Sequence, residues 1–241
     1  GSYMNKKILS MEDLRKIKGF GRKMEERVTD YIKQKEKVSE HNNQIINKTP
    51  PKDLQIDLNN IYCGESVKFM RQNIPNNSID MVLTFPPYDN LRDYNGFEFD
   101  YEMMLGEIYR LLKDGGVCVW ITDDQYIDGG RSLTSLKQAI YGDSLGLKVH
   151  DIMIWEKDTF TSVGALKTRY APVYEYMIIF KKGQNIKTFN PIKDRENKTY
   201  GRAHSGTIRL SNGKTKTLHN VGKDIAKYGQ RFNVWKVNGE K

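Results

Sequence analysis

The chain reads as an α/β protein: a partial, Rossmann-like sheet with helices on both faces, plus a small N-terminal helical hairpin. Three observations predict this. Residues 117–123, Val-Cys-Val-Trp-Ile-Thr-Asp, form an almost uninterrupted apolar run, which suits a central strand covered on both faces. Strand-like stretches at 78–85, 149–157 and 174–182 are interleaved with helical patterns at 101–113 and 132–145. Ahead of them, two short helical segments flank a glycine turn within residues 11–32.

In that N-terminal segment Leu14, Ile17, Met24 and Val28 fall on one apolar face around Gly19-Phe20-Gly21. The pattern resembles a helix-hairpin-helix, in which the hairpin and the next helix N-terminus offer backbone N–H groups to a DNA phosphate. Gly19, Gly21, Arg22 and Lys23 are its candidate contacts. A small hairpin used only for packing or dimer contact fits the same residues. Residues 33–52 are polar and break at Pro50-Pro51, so a tether is expected and the first domain is set at 1–52.

A strand near 56–61, a turn at Cys63-Gly64-Glu65-Ser66 and a helix over 67–72 should open a second domain running to residue 183. The helix at 101–113 places Met104, Ile108, Leu111 and Leu112 inward, and Asp114-Gly115-Gly116 should stop it. Residues 159–172, with Lys167, Arg169 and Tyr170, form a loop that is either a DNA contact or a surface insertion. Residues 184–241 are too polar for a second large core; Phe189-Asn190-Pro191 and Arg231-Phe232-Asn233-Val234-Trp235 are their aromatic anchors.

With 241 residues and 38% hydrophobic content, the chain can bury one substantial core. Its net charge of +9 is uneven: +6 over residues 1–52, −8 over the middle and +11 over 181–241. Basic flanks around a mildly acidic core fit an enzyme that grips nucleic acid, although lysine-rich ends are also simply solvated in many proteins. Cys63 and Cys118 lie in apolar runs, which predicts packed thiols in a reducing cytoplasmic setting. The few histidines and cysteines have no zinc-ligand spacing, and no run is apolar enough to span a bilayer, so neither metal nor membrane is expected. Gly1-Ser2-Tyr3 before Met4 reads as an expression scar.

The most informative stretch runs from an apolar strand into Phe85-Pro86-Pro87-Tyr88-Asp89-Asn90-Leu91-Arg92. An exocyclic amine is a poor nucleophile while its lone pair is delocalised into the base, so a site that alkylates it needs acceptors aimed at its N–H bonds. Prolines of fixed φ donate nothing and leave a carbonyl available for this role. The stretch resembles motif IV of the beta-class DNA amino-methyltransferases, Asp/Asn/Ser-Pro-Pro-Tyr, and especially the phage and restriction-modification type Thr-Ser-Pro-Pro-Tyr-Asp-Asn-Leu-Arg. That resemblance implies an S-adenosylmethionine methyltransferase sheet and double-stranded DNA as substrate. It implies that Pro86 and Pro87 shape the amine site, that Tyr88 stacks on a flipped base, and that Arg92 contacts DNA. Phe85 stands where the family places a polar acceptor. The Ser-Pro-Pro-Tyr likeness favours cytosine N4 over adenine N6.

Other matches are Tyr174-Glu175-Tyr176-Met177 before an apolar run, and the 189–191 and 231–235 stretches, which resemble the family's target-recognition region and imply that residues 184–241 are short strands and loops laid on DNA. A further match is a turn resembling the family's Gly-Asp-Ser, with Glu65 for aspartate. That turn makes Cys63, Glu65 and Ser66 candidate contacts to S-adenosylmethionine, with Thr84 ahead of the proline corner. A plain turn with Ser66 capping the next helix fits equally well. In the family's beta order, a Phe-x-Gly-x-Gly loop follows the target-recognition region and holds the methionine end of the cofactor. No such loop occurs here, so the cofactor site is expected to be incomplete. The strand ending at Phe85 should then carry an open edge that a second polypeptide or a second copy covers. A non-catalytic DNA-binding descendant of a methyltransferase is the alternative.

Overall fold

The computed structural model describes residues 11–16, 21–87, 99–158 and 167–237. The chain divides into two compact units, Gly1–Pro75 and Asn76–Lys241.

In the first unit, α1 (Met11–Arg15) and α2 (Arg22–Ile46) are joined by the Arg15–Glu25 ion pair. Gly21 starts α2, its carbonyl accepting from Met24 N at 2.8 Å and Glu25 N at 3.1 Å. The helix runs well past the expected tether, because residues 33–46 are largely good helix formers and the proline break comes only at residue 50. The strand expected near 56–61 is absent. Asn59 turns the chain with φ 59°, and Tyr62 OH closes the loop on Asp57. Helix α3 (Ser66–Asn73) follows, capped by Glu65 rather than Ser66: the Glu65 carboxylate accepts from Val67 N at 2.9 Å and Lys68 N at 2.7 Å.

The second unit is built on a five-stranded sheet in the order β1-β2-β6-β5-β11. Its strands are β1 (Ile79–Thr84), β2 (Leu112–Thr122), β5 (Leu147–Glu156), β6 (Tyr174–Lys182) and β11 (Val234–Lys236). β1 lies parallel to β2 and β11 parallel to β5, while β6 is antiparallel to both its neighbours. Helices α4 (Tyr101–Leu111) and α5 (Thr134–Ser144) contribute Leu105, Ile108 and Ala139 to a core completed by Cys118, Trp120 and Phe180. The fully buried Trp120 finds its polar partner there too, donating from Nε1 to Gln138 Oε1 at 2.9 Å.

The α/β class is as expected. One local difference is that α4 ends at Leu111 and passes directly into β2, before the anticipated glycine stop. Gly115 and Gly116 instead make a bulge between the Ile79–Leu112 and Met81–Val117 pairs. Gly115 has φ +81°, and a Cβ on it would sit 3.0 Å from Asn185 O. Lys182 Nζ supplies the charge at the end of α4, donating to Tyr109 O at 2.7 Å and Leu112 O at 2.9 Å.

Short ribbons complete the unit. β3 (Tyr126–Ile127) and β4 (Gly130–Arg131) form a hairpin through Asp128 and Gly129, both at positive φ. Antiparallel pairs also link β7 (Arg195–Glu196) with β10 (Tyr228–Gly229), and β8 (Thr207–Arg209) with β9 (Thr215–Thr217).

β1 is an outer strand, paired only with β2 among the described residues. Its alternation leaves Met81, Leu83 and Phe85 at 55%, 65% and 49% exposure, while Val82 packs against the core. Among the described residues of this unit, the edge of β1 away from β2 has no paired strand.

Candidate active site

Register brings several strand ends together at one end of the sheet. Thr84 lies opposite Trp120 in the parallel pair, and Thr122 lies opposite Tyr176 in the antiparallel one. The proline corner, residues 122–124 and residues 174–176 therefore meet there. Pro86 is buried and Pro87 half-buried. Phe85 is half-exposed, and its ring makes an edge contact with Trp155 at 6.3 Å between centroids. Tyr88 and Arg92 lie outside the described residues, as does Gly19.

Beside the corner is a polar cluster that motif reading did not single out. Asp124, 8% exposed, accepts from Ser135 N at 2.8 Å and from Arg131 Nε at 3.2 Å. Arg131 Nη2 donates to Asp123 Oδ1 at 2.9 Å, and its Nη1 donates to Tyr174 OH at 3.1 Å. Lys157 pairs with the buried Glu175. Burial raises the Asp123 carboxyl, against the pull of Arg131. Tyr176 is pushed up to about 12, first by its hydrogen bond with Tyr174 and then by burial. Thr122 Oγ1, fully buried, has no hydrogen-bond partner among the described residues. An Asp-Asp pair directly after an apolar strand is the sequence signal that could have pointed here.

The remaining candidates fall into two groups. In the second unit, Arg169 stacks on the Tyr126 ring at 3.2 Å, so its loop returns to the cluster. Lys167 and Tyr170 are exposed, Tyr170 at 98%. In the first unit, Gly21, Arg22 and Lys23 line a concavity of about 440 Å³ together with Met24 and Arg27. Cys63 is exposed, contrary to the packed thiol expected, because the irregular segment around it gains no strand partner; Cys118 is buried. Burial pushes the Cys118 thiol up to about 12.

The described residues do not make a complete fit for S-adenosylmethionine. Glu65 spends its carboxylate on a helix cap. Gly115 and Gly116 serve a bulge, Gly129 a hairpin turn and Gly142 a close contact with Phe180. Among the described residues no glycine turn links a buried strand to a helix N-terminus. No group of three or more possible metal ligands occurs among them either, and none of their helices is long and apolar enough to cross a membrane.

A mixed sheet of this order flanked by helices, with a proline corner at its strand ends, defines an α/β protein of the class the sequence predicts. The N6_N4_Mtase family profile, described as DNA methylase, matches residues 79–240, and the chain belongs to that family. It is 42% identical over 170 residues to the orphan methyltransferase M.BamHII of Bacillus amyloliquefaciens, covering 70% of this chain and 63% of that protein. Over 154 residues it is 30% identical to the type II methyltransferase M.HpaI of Haemophilus parainfluenzae, covering 59% and 45%. The chain thus spans about half to two thirds of the length of these relatives. The PvuII cytosine-N4-specific DNA methyltransferase structure aligns with 75% of this chain and 57% of its own, at 15% identity and TM-score 0.48.

Proposed function

We propose that this chain is the base-binding and DNA-contacting part of a site-specific amino-methyltransferase, acting in the cytoplasm on cytosine N4 in preference to adenine N6. The observation that carries the reading is the convergence of the buried Pro86 with the Asp123–Arg131–Tyr174 cluster at one end of the sheet. A target base swung out of the duplex would stack on Tyr88, and the Pro86 carbonyl would accept from its amine. Arg131 would hold the neighbouring strand ends rigid, so that the pocket wall does not yield as the base enters. S-adenosylmethionine would supply the methyl group, with Thr84 beside the transfer point. Its glycine loop would come from a second polypeptide whose strand pairs along β1, where Met81 and Leu83 are exposed. The basic concavity at Gly21–Lys23, with Lys167, Arg169, Tyr170 and Arg92, would contact the duplex.

Phe85 favours a second reading, because its ring can accept no hydrogen bond from an amine. On that reading the chain binds DNA without modifying it. Methyl transfer to duplex DNA, read as N4-methylcytosine and N6-methyladenine by nucleoside mass spectrometry, separates the two. The parent chain and Phe85→Ser would each be assayed with the candidate partner polypeptide. We expect activity, higher in Phe85→Ser. Inactivity of both, with salt-sensitive DNA binding retained, would favour the second reading. In light scattering, a stable monomer that ignores the partner would count against the covered edge.

A further inference from the structure

The C-terminal region contains a feature larger than its named strands. Beyond the β7–β10 pair, Asn197 N donates to Lys227 O at 2.9 Å and Ile225 N to Arg202 O at 2.9 Å. Ala203 bridges Asp224, His204 N donates to Lys223 O at 2.8 Å, and Leu218 N donates to Gly206 O at 3.2 Å. The β8–β9 pairs then continue to a closing bond from Leu210 N to Lys214 O at 2.8 Å. Residues 195–210 and 214–229 are therefore the two limbs of one antiparallel arm.

Its tip is a tight loop. Gly213 N donates to Leu210 O at 2.9 Å and Gly213 has φ +81°, a turn closed by a left-handed glycine. Its foot is tied down by the Asp194–Arg231 pair, by Arg231 N donating to Ile192 O at 2.9 Å, and by Arg195 lying 4.3 Å over the Phe232 ring.

Residues 207–217 are all exposed, and Ile208 is 46% exposed. A lone two-stranded ribbon is at best marginal in water, so such an arm is expected to work against a partner. Charge complementarity identifies that partner. Residues 195–229 carry eight Lys/Arg and two Asp/Glu, which suits a polyanion. At about 3.3 Å per residue, the stretch 203–210 alone spans roughly 25 Å, enough to cross a major groove about 12 Å wide, which admits a two-stranded ribbon. Opposed residues share a face. Arg209 and Thr215 lie with Thr207 and Thr217 on one side, while Ile208 and Lys216 lie with Leu210 and Lys214 on the other.

We infer that this arm enters the major groove of duplex DNA, with Arg209 as a specificity-determining residue on a threonine-lined reading face and Lys214 and Lys216 binding phosphates. The inference rests on the DNA-methyltransferase reading above and assigns its sequence recognition to one element. Arginine beside threonine methyls is suited to a guanine and a neighbouring thymine methyl.

The test is selection from randomised duplex DNA by the purified full chain, the Arg209→Ala variant and a Lys214→Ala/Lys216→Ala double variant. The substitutions lie on exposed ribbon, and far-UV spectra would verify folding. Arg209→Ala should lower discrimination at one base pair by roughly tenfold to a hundredfold, leaving the other positions intact. The double variant should keep the same preferred sequence with weaker binding, and its log–log salt slope should fall by about two. Arg209→Ala selecting the parent's sequence with undiminished discrimination would overturn the arm's role. So would a parent that binds duplex DNA salt-dependently but selects no sequence, although the broader function would stand. A parent that prefers duplex RNA to DNA would overturn both, since the deep, narrow groove of RNA excludes side chains.

Discussion

At the scale of single residues, identical chemistry meets opposite surroundings in the two thiols. Cys118 is fully buried under α4 and α5, and its thiol, pushed up to about 12, stays protonated through the neutral range. Cys63 is exposed. Alkylation of the native protein near pH 8 should therefore label Cys63 alone, and Cys118 should react only after denaturation; peptide mass mapping checks this. The sequence misled at Cys63 because Ile61-Tyr62-Cys63 has strand-like composition, and composition cannot report whether a strand finds a partner. Glu65 shows a similar limit: helix capping and cofactor binding ask for the same acceptor oxygen, and only the hydrogen bonds to Val67 and Lys68 reveal which role it fills in this fold.

At the scale of elements, packing of α5 on β6 leaves no margin at Gly142. A Cβ there would come within 2.6 Å of the Phe180 ring, which is fully buried. Gly142→Ala should destabilise the second unit by about 1–3 kcal/mol, read from denaturant midpoints, despite alanine's better helix propensity. β1 behaves oppositely, since Met81 and Leu83 face outward. Leu83→Lys should leave stability within about 0.5 kcal/mol of the parent. It should nevertheless weaken self-association or partner binding, monitored by sedimentation at increasing concentration.

Strands β1, β2, β5 and β6 and helices α4 and α5 were legible because apolar period and length agreed in each. The run at 117–123, for example, could be neither a surface helix nor a loop. By contrast β11, three residues placed in the sheet by pairing with β5, was read only as an aromatic anchor of the polar C-terminal region. The ends of α2 and α4 were less so, since proline and glycine mark where a helix cannot continue rather than where it stops. The long C-terminal arm was illegible because its residues are exposed and polar, and its pairing rests on backbone bonds that leave no periodic trace.

At the scale of the molecule, Phe85-Pro86-Pro87 pointed to the family, whereas the Asp123–Asp124–Arg131–Tyr174 cluster emerged only when register joined residues about fifty positions apart. Together they meet at one end of a sheet whose outer strand is β1. In the function proposed above, that end is a base-binding site whose cofactor pocket is completed by a partner. Calorimetric titration of the purified chain with S-adenosylmethionine tests that division most directly. We predict no saturable heat from the chain alone and recovered uptake once the partner polypeptide is added. Tight one-to-one binding by the chain alone would contradict it.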